Sequence, residues 1–433
     1  MRFPGSRKHK HYFPVDQKHP LTNKLTETVQ LKHPYIVGID QTIVDIEAKV
    51  SDELLERFNL KKGLSQVVET EVAESLYAEL ENSQLITGQH AGGTIGNTMH
   101  NYSVLADDRS ILYGVMSENI RIGSYAYQYL CNTSSRVDLN YLQPVAGPIG
   151  RGYTLITDDG ERTFAINAGS MNKLKPSFID EALIKESSAL VISAYFTRSE
   201  ESDGLKEATI QAVEYANRHN VPVVLTMGTR FMIDENPTWW QNFVANHVQV
   251  LAMNEEEGEA LTGLSNPLQA ADKALDWVDL VLCTAGPLGL YMAGYTDEQY
   301  KRETEKALLP GAIAEFNRYE YSRPMLKVKC VKPIKVYSHV APYMGGPDSI
   351  KNTNGAGDAA LSALLHDLTA NVYHSVNVPS STKHHAGALC YSSFSQICKY
   401  ANRVSYEVLA QHSPRLSKGL PEREDSLEET YWE

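Results

Sequence analysis

Apolar and polar positions follow two periods along this chain, and each predicts elements. Residues 34–40 form a continuous apolar stretch that closes on Asp40, which predicts a buried strand running into a polar loop. Residues 68–82 place apolar side chains at helical spacing. Residues 153–157 and 162–166 flank Asp158-Asp159-Gly160, and the Asp-Gly pair predicts a hairpin, set apart as a small flap or lid. From about residue 188 the rhythm becomes strand then helix: strands at 189–193, 221–226, 248–253 and 278–284, helices at 205–219, 239–245 and 255–262. That alternation predicts a parallel sheet covered by helices. Ligands of such sheets sit at the C-terminal ends of the strands. The polar residues there are site candidates: Asp40, Arg230, Asn254, Thr284 and the loop 352–358. Residues 296–350, rich in Pro and Gly, read as a long loop or insertion, and the acidic stretch 414–433 as a surface segment.

Composition narrows the classes. The 433 residues suffice for one large α/β domain or two smaller ones, and 42% apolar content suffices for a core. No run approaches the roughly 18 apolar residues of a membrane span, so no membrane partner is expected. Residues 1–20 are basic and His-rich without an apolar signal core, and read as a surface arm. A net charge of −13 argues against nucleic acid as a partner. The five cysteines are odd in number and lack CxxC spacing, as in a reducing cytoplasm with small buried thiols.

The candidate chemistry centres on Gly355-Ala356-Gly357-Asp358, where a small-residue turn enters an Ala-rich apolar helix. Free N–H groups and the helix dipole make such a start an anion site, phosphate above all. Asp358 beside a bound phosphate can take a proton from an attacking hydroxyl, or can simply cap the helix. The spacing does not fit a P-loop. Gly92-Gly93 precede a helix carrying Asn97, without dinucleotide-fingerprint spacing. Asn254 and Glu257, three apart at a helix start, suit hydrated Mg²⁺ or an ordinary cap. Thr284 to Gly289 is a nucleotide platform or a plain turn, and Asp45 a sugar-hydroxyl acceptor or a solvated loop carboxylate. His100 and Trp239-Trp240 read as packing residues.

Taken in order, Gly92-Gly93-x-x-x-Asn97, Gly160-Glu161-Arg162-Thr163, Asn254-x-x-Glu257, Thr284-x-Gly286 and Gly355-Ala356-Gly357-Asp358 resemble the ribokinase-like (PfkB) carbohydrate kinase family across residues 35–410. The resemblance implies an α/β fold, a three-layer α/β/α body with a small β-sheet lid. The lid strands would lie within about 35–60 and 100–170, between a basic arm (1–34) and an acidic tail (411–433). It implies Asp358 as catalytic base, with the amides of Gly355, Ala356 and Gly357 as anion hole. It implies Asp40, Asp45, Gly92, Gly93 and Asn97 at the sugar, and Arg162 either reaching the phosphates from the lid or standing as an exposed strand charge. Thr284, Gly286, Gly289, Asn254 and Asn354 belong to the ATP site, and Asn254 and Glu257 position Mg²⁺ through water. The implied reaction is ATP-dependent phosphorylation of a purine nucleoside 5′-hydroxyl, inosine and guanosine ahead of adenosine, giving IMP and GMP in purine salvage. A sugar or adenosine kinase is the alternative on the same scaffold. A non-catalytic nucleotide sensor is disfavoured by the intact Asn254, Glu257 and Asp358. Asn352 stands where the family usually has Asp, so a K⁺ requirement is left open, as is a homodimer.

Overall fold

The computed structural model describes residues 34–106, 108–199, 203–304, 318–381, 385, 387–417, 419 and 420. The arm, up to residue 33, and the tail from 421 lie outside the described residues. In chain order the strands are β1 (Ile36–Ile39), β2 (Ile43–Lys49), β3 (Ser65–Val67), β4 (Ile86–Ala91), β5 (Ser110–Ser117), β6 (Val137–Asp138), β7 (Leu142–Val145), β8 (Gly150–Ile156) and β9 (Arg162–Asn167). They continue as β10 (Leu190–Ser193), β11 (Val223–Thr226), β12 (Val250–Asn254), β13 (Leu280–Thr284), β14 (Leu290–Asp297) and β15 (Pro333–Val340). The helices that matter below are α1 (Thr70–Asn82), α2 (Thr94–Ala106), α3 (Leu205–Arg218), α4 (Arg230–Glu235), α5 (Pro237–His247), α6 (Glu255–Thr262), α7 (Pro267–Ala274), α8 (Ala356–Asn377) and α9 (Phe394–Leu409).

The larger sheet runs β15-β14-β13-β12-β11-β10-β1-β5-β6, with β7 also beside β5. Pairing is parallel from β13 through β1 to β5 and antiparallel at β13–β14 and β14–β15. Its inner strands are almost wholly apolar because both faces are covered. Successive side chains point to opposite faces. Thus Ile36, Val191, Val224 and Val250 pack with the inner faces of α2, α8 and α9. Val37, Leu190, Ile192, Val223 and Leu251 pack with α3, α5, α6 and α7. These two apolar layers, one on each side of the sheet, make the body α/β/α. Each buried Val, Leu or Ile contributes roughly 1.5–3 kcal/mol relative to exposure.

The smaller sheet, β3-β9-β8-β2-β4, is the lid. The chain enters it directly from β1 through Asp40-Gln41-Thr42, and Gly150 N donates to Thr42 O to bring β8 alongside. The expected hairpin is β8–β9, antiparallel from Arg151–Asn167 to Ile156–Arg162.

Three expectations need correction. Residues 296–350 are not all loop: β14 ends in this stretch and β15 crosses it, paired residue for residue from Leu290–Val340 to Asp297–Pro333. The alternating Ile334, Val336 and Ser338 carry the strand; Pro333 opens it, and Pro342, Gly345, Gly346 and Pro347 follow it. Lid strands β3 and β4 fall between the expected windows, whereas β5, inside the second window, belongs to the body. Buried at nearly every position, β5 needs cover on both faces, which only the body provides. The thiols are all free, but Cys131 is exposed rather than buried.

Candidate active site

Asp40, Asn254 and Thr284 stand at or just past the C-terminal ends of β1, β12 and β13. The start of α8 meets the same edge of the sheet. This helix is apolar and buried over most of its length, so its first turn is held rigidly. Gly355 is its N-cap at φ 81°, a left-handed conformation that favours glycine. A Cβ there would run into Pro414. No side chain caps the helix, and a Cβ on Gly357 would meet nothing within 4 Å. Ala356 N makes a long contact to Thr353 O (3.5 Å), while exposed Gly357 leaves the helix start open to solvent, as an anion site requires. Asn352 Oδ1 accepts from Asn354 N (2.9 Å) and Asn352 Nδ2 donates to His412 O (2.8 Å), so this neutral residue braces the turn. Asn354 is exposed.

The sugar-side candidates gather around α2. Asp40 is buried and accepts from Gly96 N at 2.7 Å. Asp45 lies within β2, paired with His90 and Gly152, and is not on a solvated loop. Gly92 and Gly93 fit against these carboxylates: a Cβ at Gly92 would strike Asp45, and one at Gly93 would strike Asp40. Asn97 Nδ2 donates to Asp358 Oδ2 at 3.2 Å, tying α2 to the first turn of α8. Asp40, Asp45, Gly92, Gly93, Asn97 and Asp358 are therefore one cluster.

Burial raises all three acids. Asp40 is pushed up to about 7 against the pull of its amide donors and of Arg415. Asp45 is pushed up to about 6, with Arg415 alone opposing. Asp358 is pushed up to about 7 by burial, then by the charges of Asp40 and Glu257, while Asn97 and Arg415 act downward. A half-buried carboxylate tuned near neutrality is suited to proton transfer.

Arg415 had no signal in the sequence. It lies in the stretch read as an acidic surface tail, yet it is 4% exposed and in the middle of the cluster. Its Nε donates to Asn97 Oδ1 (2.9 Å), Nη2 to Gly92 O (3.0 Å) and Nη1 to Thr133 Oγ1 (2.6 Å). Leu416 is buried beside it. The boundary at 410 therefore cuts through the site. A single Arg among polar residues carries no periodicity, so only the folded chain reveals it.

At the end of β12, Asn254 and Glu257 form a reciprocal cap. Asn254 Oδ1 accepts from Glu257 N (2.8 Å) and Glu257 Oε2 accepts from Asn254 N (2.9 Å). Glu257 is buried and pushed up to about 7 by burial and by the charges of Glu255 and Glu256, with the Asn254 amide opposing. Clustered carboxylates of this kind favour a cation. Among the described residues no group of three or more His, Cys, Asp or Glu side chains could hold a metal. The oxygen donors of Asn254 and Glu257, few in number, are of the type a hydrated Mg²⁺ would use, its other ligands coming from water and phosphate. Beyond Thr284, the turn closes through Ala285 N to Gly289 O (2.8 Å), with Gly286 and Gly289 both at positive φ.

Two arginines stand elsewhere. Arg230, exposed at the start of α4, pairs with Asp234 and Glu259. Arg162 is exposed at the hairpin tip, opposite Ile156 and four residues along β8 from Gly152, where Asp45 pairs. His100 and Trp240 are packed, as expected.

The chain is similar to known proteins at two levels. It is 64% identical over 433 residues to guanosine-inosine kinase of Escherichia coli (strain K12), covering 100% of both chains, and equally so to that of Escherichia coli O157:H7. Among solved structures, adenosine kinase from Sinorhizobium meliloti matches with a TM-score of 0.62 at 18% identity, over 89% of this chain and 97% of that one. A probable sugar kinase protein from Rhizobium etli CFN 42 matches with a TM-score of 0.62 at 16% identity, over 90% and 97%. These two likenesses concern the fold. A pfkB family carbohydrate kinase model matches residues 123–307. With full-length identity this high, the chain belongs to the pfkB family of carbohydrate kinases.

Proposed function

We propose that the protein transfers the γ-phosphoryl group of ATP to the 5′-hydroxyl of a purine nucleoside, with inosine and guanosine as preferred acceptors. The observation that carries the reading is the Asn97–Asp358 hydrogen bond. It ties a carboxylate raised toward neutrality, at an open helix start, to the helix that packs over Asp40 and follows the Gly92 turn beside Asp45. One base then sits between an anion site and a sugar pocket.

Asp358 accepts the proton of the attacking 5′-hydroxyl. The amides of Gly355, Ala356 and Gly357 hold the charge that spreads over the transferred group, where most phosphoryl-transfer catalysis lies. Asp45 and Asn97 hold the ribose hydroxyls, with Gly92 and Gly93 leaving room for the sugar. Thr284, Gly286 and Gly289 form the floor for ATP. Asn254 and Glu257 would hold Mg²⁺ through water, and the ion supplies charge neutralisation between the phosphates. The lid excludes water and so suppresses idle ATP hydrolysis.

The choice of base rests on the guanosine-inosine kinases at 64% identity. A 6-oxopurine presents an acceptor at O6 and a donor at N1, and adenine presents the reverse. A pocket built for one pattern leaves buried groups unpaired with the other, which discriminates by orders of magnitude. The test is kcat/KM for inosine, guanosine, adenosine and ribose at fixed Mg-ATP. Inosine and guanosine should lead, adenosine follow poorly and ribose hardly react. Adenosine or ribose as clearly preferred substrate overturns the assignment.

A further inference from the structure

The segment after α9 turns back across the site as a strap, residues 411–417. Gln411 Nε2 donates to both Ser413 O (3.0 Å) and Arg415 O (2.9 Å), shaping the bend. Asn101 on α2 clamps the strap on both sides of Arg415: its Nδ2 donates to Pro414 O (3.2 Å) and its Oδ1 accepts from Leu416 N (2.8 Å). His100 adds a third tie. Its Nδ1 accepts from Ser134 N (3.0 Å), so Nε2 carries the proton and donates to Leu416 O (2.9 Å). Burial, then the charge of Arg415, lowers that imidazole to about 4, which keeps it in this neutral tautomer. Pro414 meanwhile rests against Gly355 at the helix start. The strap thus touches both sides of the candidate site.

Arg415 uses this support in an unusual way. Its Nε, Nη1 and Nη2 donate to neutral acceptors, namely Asn97 Oδ1, Thr133 Oγ1, Asn132 O (3.4 Å) and Gly92 O, and its Cζ lies 5.1 Å from the Tyr129 ring centre. No contact ion pair consumes its charge among the described residues. Yet among the described residues it is the cation whose charge acts on all three acids, buried Asp40 and half-buried Asp45 and Asp358. By accepting from Arg415 through Oδ1, Asn97 has its amide orientation fixed: Nδ2 must point at Asp358.

We propose that Arg415 is a positioning residue for phosphoryl transfer. It locks Asn97 with its amide nitrogen toward Asp358, fixes the Gly92 carbonyl under the sugar pocket, and supplies the countercharge for the three-acid cluster. The proposal rests on the nucleoside-kinase reading above. It makes the C-terminal strap part of the site.

The test uses the full-length chain and compares Arg415→Lys, Asn97→Ala and the double variant with the parent. Lysine keeps the charge but cannot span Asn97, Thr133 and Gly92 at once. Expected for Arg415→Lys is a kcat loss of about 10–100-fold, on the scale set by small misplacements of reacting groups. The nucleoside KM should rise while the KM for ATP stays near that of the parent. The double variant should be little worse than Asn97→Ala, because both lesions act through one contact. Arg415→Ala should regain turnover on addition of guanidinium at concentrations that leave the parent folded, a readout that a purely structural role does not move. Parent-like kinetics in folded Arg415→Lys overturns the proposal. So does a loss of activity that only tracks the unfolded fraction in a parallel melting curve, or full additivity with Asn97→Ala. A parent that phosphorylates no nucleoside overturns the function reading as well, which separates the two failures.

Discussion

Asp358 must be a carboxylate to accept a proton, yet it sits where burial and two neighbouring acids favour its neutral form. Its value near 7 is the balance between those pressures and the pull of Asn97 and Arg415. Two outcomes follow at the residue scale. Asp358→Asn keeps the shape and the hydrogen bond to Asn97 but removes the base, so kcat should fall by about 10²–10⁴-fold while ATP affinity changes little. Stopped-assay kinetics and ATP titration check both halves, and near-parent kcat would remove Asp358 from the role. In the parent, kcat/KM should rise with pH and level off above about 7, because only the ionised base is active. A flat profile from pH 5.5 to 8 (a window about the value near 7) would contradict the proposed proton acceptor.

At the scale of elements, the site depends on how strands end. The turn from β13 to β14 passes through Gly289 at φ 93° and ψ −142°, a region essentially open only to glycine. A Cβ there would press into the Val340 carbonyl of β15. The turn thus packs directly on β15, where His339 Nε2 also meets Leu288 O (2.7 Å), so an edge strand braces the proposed ATP-binding turn. Gly289→Ala should cost about 1–3 kcal/mol in strain, visible as a lower melting temperature, and should raise the KM for ATP more than that for the nucleoside. Equal stability to the parent would show that the turn relaxes freely. The start of α8 depends on its neighbours in the same way, since Gly355 is packed by Pro414 of the strap.

At the scale of the molecule, body and lid meet over a cluster of acids, and that carries a stability cost. Asp40, Asp45 and Asp358 all lie above their ordinary range when folded, so between about pH 4 and 7 the native chain binds more protons than the unfolded one. Stability therefore falls as pH rises through that window and levels off above it. His100, lowered in the fold, works the other way, but only below its unfolded value of about 6.5. Above that, the carboxylates act alone. The metal-free, substrate-free protein should melt at a lower temperature at pH 7.5 than at pH 6.5, as measured by differential scanning calorimetry, with the sign set by this linkage. A higher melting temperature at pH 7.5 would show that the cluster is not raised as a whole.

Much of the body was legible in the chain alone. Buried strands such as residues 190–193 and 223–226 announce themselves by unbroken apolar runs, and α3 by its 3.6-residue period, because local burial patterns follow local geometry. The hairpin β8–β9 followed from its Asp-Gly turn. The motif around Asp358 stood out only together with the other motifs in their order, because alone it reads equally as a plain turn into a capped helix. Other features depended on contacts between distant segments. β15 was hidden by the proline and glycine around it until β14 supplied its partner. Asp45 read as either a sugar-hydroxyl acceptor near a strand end or a solvated loop carboxylate until β4 and β8 flanked it. The separation of Arg162 from Asp45 is set by strand register, which the hairpin turn alone does not locate against β2. Arg415 is the clearest case. Its burial is decided by Asn101 and His100, more than 300 residues earlier in the chain, and by a glycine that leaves room for Pro414. Periodicity and motif spacing report on neighbours in sequence. A charge placed among three acids by chain segments this far apart is a property of the tertiary structure.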